Sequence, residues 1–141
     1  MTATAFEDLK ADFEFIDDWE ERYKYVIELG KEMPALDSAD HNEANKVNGC
    51  VSQVWLKSKI STDDKGRKIF TFTGDSDAMI VRGLVAILRI LLNGRTVEEV
   101  AAMDIPAQLE SLGLNENLTS QRANGLASMV NRIKAEAAAA I

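Results

Sequence analysis

The chain has 141 residues, of which 46% are hydrophobic, and its 16 Lys and Arg against 23 Asp and Glu give a formal net charge of −7 at pH 7. A chain of this length and composition can close one hydrophobic core, so we expect a single domain spanning residues 1–141. The acidic surface would repel nucleic acid and anionic lipid, which argues against binding to either.

The N-terminal sequence predicts a cytoplasmic protein. Residues 1–15 are acidic and lack the basic start and apolar core of a signal peptide. The longest apolar run, Gly83–Leu92, is interrupted by Arg89 and is too short to cross a bilayer. We therefore expect neither export nor a membrane partner.

The chain contains one cysteine, Cys50, and one histidine, His41. A zinc site or an iron–sulfur cluster held by this chain alone would need about four ligands, mostly Cys or His. A dithiol redox centre or a disulfide would need two cysteines. The composition therefore predicts no metal, and it leaves Cys50 as either a buried packing residue or a single reactive thiol.

The N-terminal third is predicted to be helical. Thr4 and Glu7 have the spacing of a capping box, so a first helix should start just after Thr4. Asp17 or Asp18 can cap a second helix, and Gly30 with Pro34 should mark its end.

A long polar loop and a β-hairpin are predicted next. Residues 34–49 have no apolar period, which is typical of a surface loop, and loops of this length are often functional. The alternation in Val51–Ile60 predicts a strand, and Lys68–Thr73 is a second strand that should pair with it antiparallel. The buried face of the first strand should carry Val54, Leu56 and Ile60.

The segment Gly74–Asp77 is predicted to end the second strand, with Asp75 and Asp77 capping the next helix through their carboxylates. Apolar side chains surround most of that helix from Met79 to about Asn93, so it should be the central buried helix.

The C-terminal third is also predicted to be helical. Thr96 and Glu99 form a capping box, Pro106 begins another helix, and the last helix starts after Thr119. The last helix should bury Leu126, Met129, Val130 and Ile133. The fold class is therefore α+β, with a small antiparallel sheet packed against helices.

Three segments carry specific motifs: VNGCVSQVWL at 47–56, TGDSDAMIVRGLVAILRILLNG at 73–94 and LTSQRANGLASMVNRIKA at 118–135. In this order they resemble the SufE/CsdE family of sulfur acceptors for cysteine desulfurases. The resemblance runs from WEERYKYVIELGKEMP, at 19–34, to the final helix and so covers nearly the whole chain. The Gly-Cys-x-Ser-x-Val-Trp motif is specific when the other two segments accompany it.

The resemblance implies a SufE-like fold and a sulfur-transfer partner rather than a stand-alone enzyme. Cys50 matches the family's motif cysteine, whose thiolate takes the outer sulfur of a persulfide on a desulfurase. That desulfurase, of the SufS or CsdA kind, carries the pyridoxal phosphate (PLP), so no cofactor is expected on this chain. The loaded acceptor would activate the desulfurase and pass sulfur to an iron–sulfur scaffold complex of the SufBCD kind.

The resemblance also implies a surface that binds the desulfurase. Its expected residues are Gly49, Ser52, Gln53, Asp75, Asp77 and Arg122. We further expect the persulfide to be sheltered in an apolar pocket lined by Val51, Val54 and Leu56. Trp55 is interpreted as a packing residue, and His41 as a solvated loop residue rather than a base.

Three alternative functions stay open at this point. The chain could relay sulfur to a different acceptor, as a CsdE-type protein. Cys50 could be a redox sensor that oxidises to a sulfenic acid, although sensors of this kind often keep a second, resolving cysteine. The chain could also be an interaction module that holds the desulfurase active without carrying sulfur.

Overall fold

The computed structural model describes residues 2–48, 52–114 and 118–141. Its helices are α1 (Thr2–Phe15), α2 (Trp19–Glu32), α3 (Met79–Leu92), α4 (Val97–Ala102), α5 (Ile105–Glu110) and α6 (Ser120–Ala139). Its strands are β1 (Val54–Thr62), β2 (Lys68–Ser76) and β3 (Arg95–Thr96), and a 3₁₀ turn spans Ser38–Asp40. The predicted α+β class is confirmed, since these strands form an antiparallel sheet against which the helices pack.

The sheet has the strand order β1-β2-β3 in the described part of the chain. The predicted hairpin of β1 and β2 is confirmed, with a register that runs from Val54 opposite Ser76 to Thr62 opposite Lys68. The short β3 was not predicted, and it pairs with β2 near Phe70. A two-residue strand carries little sequence periodicity, which explains why the pattern did not reveal it.

The predicted start of β1 and the predicted end of β2 are wrong. Strand β1 begins at Val54, after a bend at Ser52, whereas the alternation predicted a start at Val51, which itself lies outside the described residues. Strand β2 continues through Gly74 to Ser76 instead of ending at this glycine. A Cβ on Gly74 would lie 2.8 Å from the Trp55 carbonyl oxygen, so the glycine permits close strand packing rather than a break.

Helix α3 is the central helix, as predicted, and it packs against α1, α2 and β2. Its buried residues are Ile80, Val81, Gly83, Leu84, Val85, Ala86, Ile87, Leu88, Leu91 and Leu92. Met79 departs from the prediction because it is 56% exposed at the N-terminal end of the helix. On the predicted buried face of β1, Val54 and Leu56 are buried, but Ile60 is 38% exposed near the strand's far end.

Helix α2 contacts α3 through two glycines. The helix ends at Glu32, between Gly30 and Pro34, the two residues predicted to mark its end. A Cβ on Gly30 would lie 2.7 Å from the Gly83 nitrogen, and a Cβ on Gly83 would lie 2.2 Å from the Val26 carbonyl oxygen. Gly30 therefore lies inside the helix, where it permits a backbone contact with α3, and Pro34 follows the helix end.

The other helix ends mostly follow the predicted signals. Asp18 caps α2 by accepting from the Glu20 N–H at 3.1 Å, and Thr96 with Glu99 forms the predicted capping box of α4. Helix α1 begins at Thr2, so the capping box predicted at Thr4 is wrong, since an N-cap residue is not helical.

Helix α6 begins after Thr119 and buries the four predicted residues, Leu126, Met129, Val130 and Ile133. Thr119 accepts from the Arg122 N–H at 3.3 Å, which caps this helix. Among the described residues, no helix has both the length and the apolar character to cross a membrane.

Candidate functional site

Two antiparallel stretches of chain flank the segment that contains Cys50. The Val47 N–H donates to the Val54 oxygen, and the Leu56 N–H donates to the Asn45 oxygen, each at 2.8 Å. Residues 45–47 are therefore paired with the start of β1, and residues 48–53 connect the two stretches. Cys50 and Gly49, the predicted acceptor and its neighbour, lie outside the described residues.

Asp77 holds the end of this connection in place. Its Oδ1 accepts from the Gln53 N–H at 3.0 Å, and its own N–H donates to the Gln53 oxygen at 3.2 Å. The predicted helix-capping role of Asp77 is wrong, because Ala78 is the N-cap of α3 and makes no side-chain cap. The carboxylate instead joins the loop before α3 to the residue that precedes β1.

Asp75 is also not a helix cap. Its Oδ2 lies 2.7 Å from His41 Nε2, and its Oδ1 accepts from the Ser76 N–H at 2.8 Å. Arg82 Nε is 3.4 Å from Asp75 Oδ1, an ion pair that lacks hydrogen-bond alignment. Asp75 thus connects β2 to the polar segment that precedes the cysteine.

His41 is not the solvated residue that the sequence predicted. Its side chain is 25% exposed, and its ring contacts the edge of Trp55 with the centroids 4.7 Å apart. This contact agrees with the packing role interpreted for Trp55. Its Nδ1 faces the Asp37 carbonyl oxygen at 3.0 Å. The hydrogen bond to Asp75 raises the pKa of His41, because it stabilises the protonated ring.

Arg122 lies near the N-terminus of α6 and is bound to α2. Its Nη1 donates to Tyr23 Oη at 2.9 Å, and its Cζ lies 5.9 Å from the centre of the Tyr23 ring. The guanidinium is therefore held in one place by a hydrogen bond and a cation–π contact. The sequence could not identify Tyr23 as the partner, because 99 residues separate the two.

A cavity of about 250 Å³ lies between α3, α6 and Ser52. Its apolar wall consists of Val81, Leu84, Leu126 and Met129, and its polar wall of Ser52, Thr119, Gln121 and Arg122. The predicted lining is wrong for Val54 and Leu56, which are 0% and 1% exposed in the core and do not line this space. Val51, also predicted, lies outside the described residues.

The structure brings Ser52 and Arg122 of the predicted site together at this cavity. The other three predicted residues do not line the cavity. Gln53 and Asp77 bind each other at the end of residues 48–53, and Asp75 binds His41 in the segment before them. Sequence reasoning missed the apolar wall, although the i, i+3 spacing of Leu126 and Met129 on α6 was already recognised as a buried face. In the described parts of the chain, no group of three or more His, Cys, Asp or Glu could hold a metal ion.

Comparison with known proteins gives a family match over most of the chain. The SufE family model, described as an Fe-S metabolism associated domain, matches residues 7–137. An uncharacterised SufE-like protein of Rhizobium etli is 54% identical over 126 residues, which cover 89% of this chain and 84% of that protein. An uncharacterised SufE-like protein of Rhizobium meliloti is 48% identical over 134 residues, or 95% of each chain.

The fold is also similar to a solved structure. The solution structure of a hypothetical protein from Thermus thermophilus has a TM-score of 0.76 and covers 96% of this chain and 95% of its own. At 20% identity this likeness shows the fold alone.

Fold and sequence together place the chain among proteins associated with iron–sulfur metabolism. The chain belongs to the SufE family. Membership in this family implies a role in sulfur transfer linked to that metabolism.

Proposed function

We propose that Cys50 accepts a sulfane sulfur atom from a PLP-dependent cysteine desulfurase and holds it as a persulfide. The observation that carries this proposal is the cavity beside Ser52, which combines an apolar wall with one fixed cation. Cys50 precedes Ser52 by two residues, and two residues span at most ~7 Å of chain. The acceptor thiol is thus tethered close to a space that could shelter a sulfur atom from water.

The transfer is an exchange between sulfur atoms. The Cys50 thiolate attacks the outer sulfur of the desulfurase persulfide, so a new S–S bond forms on Cys50 and the old S–S bond breaks. The desulfurase cysteine leaves as a thiolate. The proton on the outer sulfur stays on the transferred sulfur atom or is lost to water. One sulfur atom changes carrier, and no external oxidant or reductant is consumed.

Arg122 is suited to stabilise the loaded acceptor. A persulfide anion would be favoured near a positive charge, as any thiolate is. The bond to Tyr23 holds the guanidinium at the cavity, and Leu126 and Met129 on the same face of α6 add apolar lining beside it. We assign Arg122 to charge stabilisation inside the cavity as well as to the predicted binding of the partner.

The desulfurase would dock on the surface around residues 48–53. Gln53 and Asp77 are exposed there, and Met79 offers an apolar contact in the same region. Gly49, Ser52 and Asp75 complete the docking surface expected from the family. On release from the desulfurase, the loaded acceptor would deliver sulfur to an iron–sulfur scaffold complex.

The direct test is mass spectrometry after incubation with a purified cysteine desulfurase and free cysteine. We expect one added sulfur atom on Cys50, removable by a reductant. Running SufS-like and CsdA-like desulfurases in parallel would identify the branch. The same adduct on a Cys50→Ser variant would show that the acceptor is another residue.

The desulfurase turnover rate separates sulfur transfer from a docking role alone. We expect wild-type protein to stimulate turnover and Cys50→Ala to bind without stimulating it. Full stimulation by Cys50→Ala would identify an interaction module instead. A peroxide reaction faster than that of free cysteine would favour the redox sensor.

A further inference from the structure

Residues 44–47 lie beside the start of β1, where a turn leads into a single bridge between Lys46 and Trp55. One side of this stretch pairs with β1, through the Val47 N–H and the Asn45 oxygen. Residues 42–46 form turns, in which the Asn45 N–H donates to the Asn42 oxygen and the Lys46 N–H donates to the Glu43 oxygen. The oxygens of Ala44 and Lys46 take no part in these bonds or in the bonds to β1. They would need donors from elsewhere in the fold.

Arg132 of α6 supplies both donors. Its Nη1 donates to the Lys46 oxygen at 2.6 Å, and its Nη2 donates to the Ala44 oxygen at 2.7 Å. The guanidinium is a rigid planar fork, so one side chain holds two carbonyls of this short stretch at once. A lysine ammonium in the same place is a point donor and could not reproduce this geometry.

Arg132 is itself held from two directions. Its Nε donates to Glu136 Oε2 at 3.2 Å, one helical turn further along α6. Its neighbours Val130 and Ile133 are buried in the core, which fixes the helix underneath. The side chain is 22% exposed, so this ion pair is only partly screened by water.

The same helix lines the cavity. Arg122, Leu126 and Met129 of α6 form part of its wall, and Arg132 lies about 15 Å along the axis from Arg122 at 1.5 Å per residue. One rigid helix therefore carries both the cavity wall and the residue that fixes residues 44–46. That stretch leads directly into the segment with Cys50.

We propose that Arg132 is a positioning residue, which sets where the chain enters the cysteine segment relative to the cavity. The proposal rests on the proposed function, in which Cys50 carries sulfur beside that cavity. Arg132 acts through the backbone of residues 44–47 and contacts no reacting atom. Its effect should therefore appear in the rate of sulfur transfer rather than in partner affinity.

The test compares Arg132→Lys with a matched control on the same helix. Lys134→Met removes another bond from α6 to a carbonyl, that of Lys134 Nζ to the Met103 oxygen at 2.7 Å, and leaves residues 44–47 untouched. Both variants are assayed at a temperature where circular dichroism shows them folded. The rate of persulfide formation on Cys50 is measured against desulfurase concentration.

Arg132→Lys should lower the maximal rate by about tenfold or more, since a misplacement of ~1 Å can cost about a hundredfold. The desulfurase concentration at half-maximal rate should not change, and Lys134→Met should behave as the wild type. A residue with only a structural role would alter the folded fraction and not the rate per folded molecule. Equal maximal rates for the two variants overturn the proposal.

A second measurement does not depend on sulfur transfer. The alkylation rate of Cys50 by iodoacetamide needs no desulfurase, and Arg132→Lys should change it severalfold relative to Lys134→Met. Glu136→Gln, which weakens the hold on Arg132, should give a smaller change in the same direction. If wild-type protein takes up no sulfur, the proposed function fails, while alkylation rates that are equal in all variants overturn the role of Arg132.

Discussion

Asp77 and Gln53 bind each other twice, through one side-chain and one backbone hydrogen bond. Asp77 Oδ1 accepts from the Gln53 N–H at 3.0 Å, and the Asp77 N–H donates to the Gln53 oxygen at 3.2 Å. The pair joins the loop before α3 to the end of the segment that contains Cys50. Arg132 holds the other end of that segment, so both of its flanks are fixed by residues distant in sequence.

Asp77→Ala removes the side-chain acceptor and should loosen this flank. We expect the Gln53 amide to exchange hydrogen faster and the unfolding free energy to fall by about 1 kcal/mol, the usual net value of one hydrogen bond. Asp77→Asn keeps an acceptor oxygen and should behave nearly as the wild type. Hydrogen-exchange mass spectrometry and urea unfolding measure the two effects.

Asp104→Ala provides the control for Asp77→Ala. It removes an acceptor of the same type, from the Ala107 N–H at 3.2 Å, at the start of α5. Its stability loss should be similar, but the exchange of Gln53 should not change. Faster Gln53 exchange in both variants would mean that Asp77 has no specific effect on this segment.

Tyr23→Phe should release Arg122 while keeping the aromatic ring. The lost hydrogen bond joins a charged donor to a hydroxyl in a partly buried position, so we expect a stability loss of about 1.5 kcal/mol. The loaded Cys50 should lose its sulfur to a reductant faster, because the guanidinium at the cavity is no longer fixed. The control is Tyr25→Phe, which lies on α2 like Tyr23 and removes a 2.6 Å bond to Asp12 of α1. Equal persulfide lifetimes in the two variants would contradict this role of Tyr23.

The pair of His41 and Asp75 should make stability depend on pH. Both ring nitrogens of His41 face oxygen acceptors, and the bond to Asp75 raises its pKa from the ordinary 6.5. A raised pKa in the folded state means that the folded protein binds the proton more tightly than the unfolded chain. The contribution is therefore fully present below pH 6.5 and is lost as pH rises through the raised value.

Urea unfolding of wild type and His41→Gln across pH 5.5 to 8.5 tests this sign, with the range chosen around the reference pKa of histidine. The stability advantage of the wild type should decrease as pH rises above 6.5. A constant difference between the two proteins would show that His41 does not titrate differently in the folded state.

Gly83→Ala should destabilise the protein, although in a helix interior alanine is normally more favourable than glycine by about 1 kcal/mol. A Cβ at this position would lie 2.2 Å from the Val26 oxygen, a distance that forces α2 and α3 apart. Overpacking of this kind costs about 1–3 kcal/mol. Thermal unfolding measures the change, and a rise in stability would contradict the close contact.

Local signals in the sequence predicted local structure well. Thr96 and Glu99 lie three residues apart, and their capping box is present as predicted. Asp77 failed as a predicted cap because a distant donor, the Gln53 N–H, competes for its carboxylate. Gly30 and Pro34 bracket the observed end of α2, but the contact that Gly30 makes with Gly83 on another helix left no local signal in the sequence.

The candidate site could be predicted only in part. The motif identified Ser52 and Arg122, which both line the cavity, from their place in a family pattern. Their structural partners, such as Tyr23, depend on how the helices pack in three dimensions. Residue spacing along the chain does not reveal that packing. The cavity wall was recognisable as a buried helix face, but not as the boundary of an open space.

The contact between Gly30 and Gly83 has a mechanical consequence. At this point the backbones of α2 and α3 meet directly, with the Val26 side chain beside them, so a larger residue at either glycine would force the helices apart. Helix α2 carries Tyr23, and α3 carries Val81 and Leu84 of the cavity wall. The position of Tyr23, which holds Arg122, relative to the α3 wall of the cavity therefore depends on how closely these two helix backbones pack.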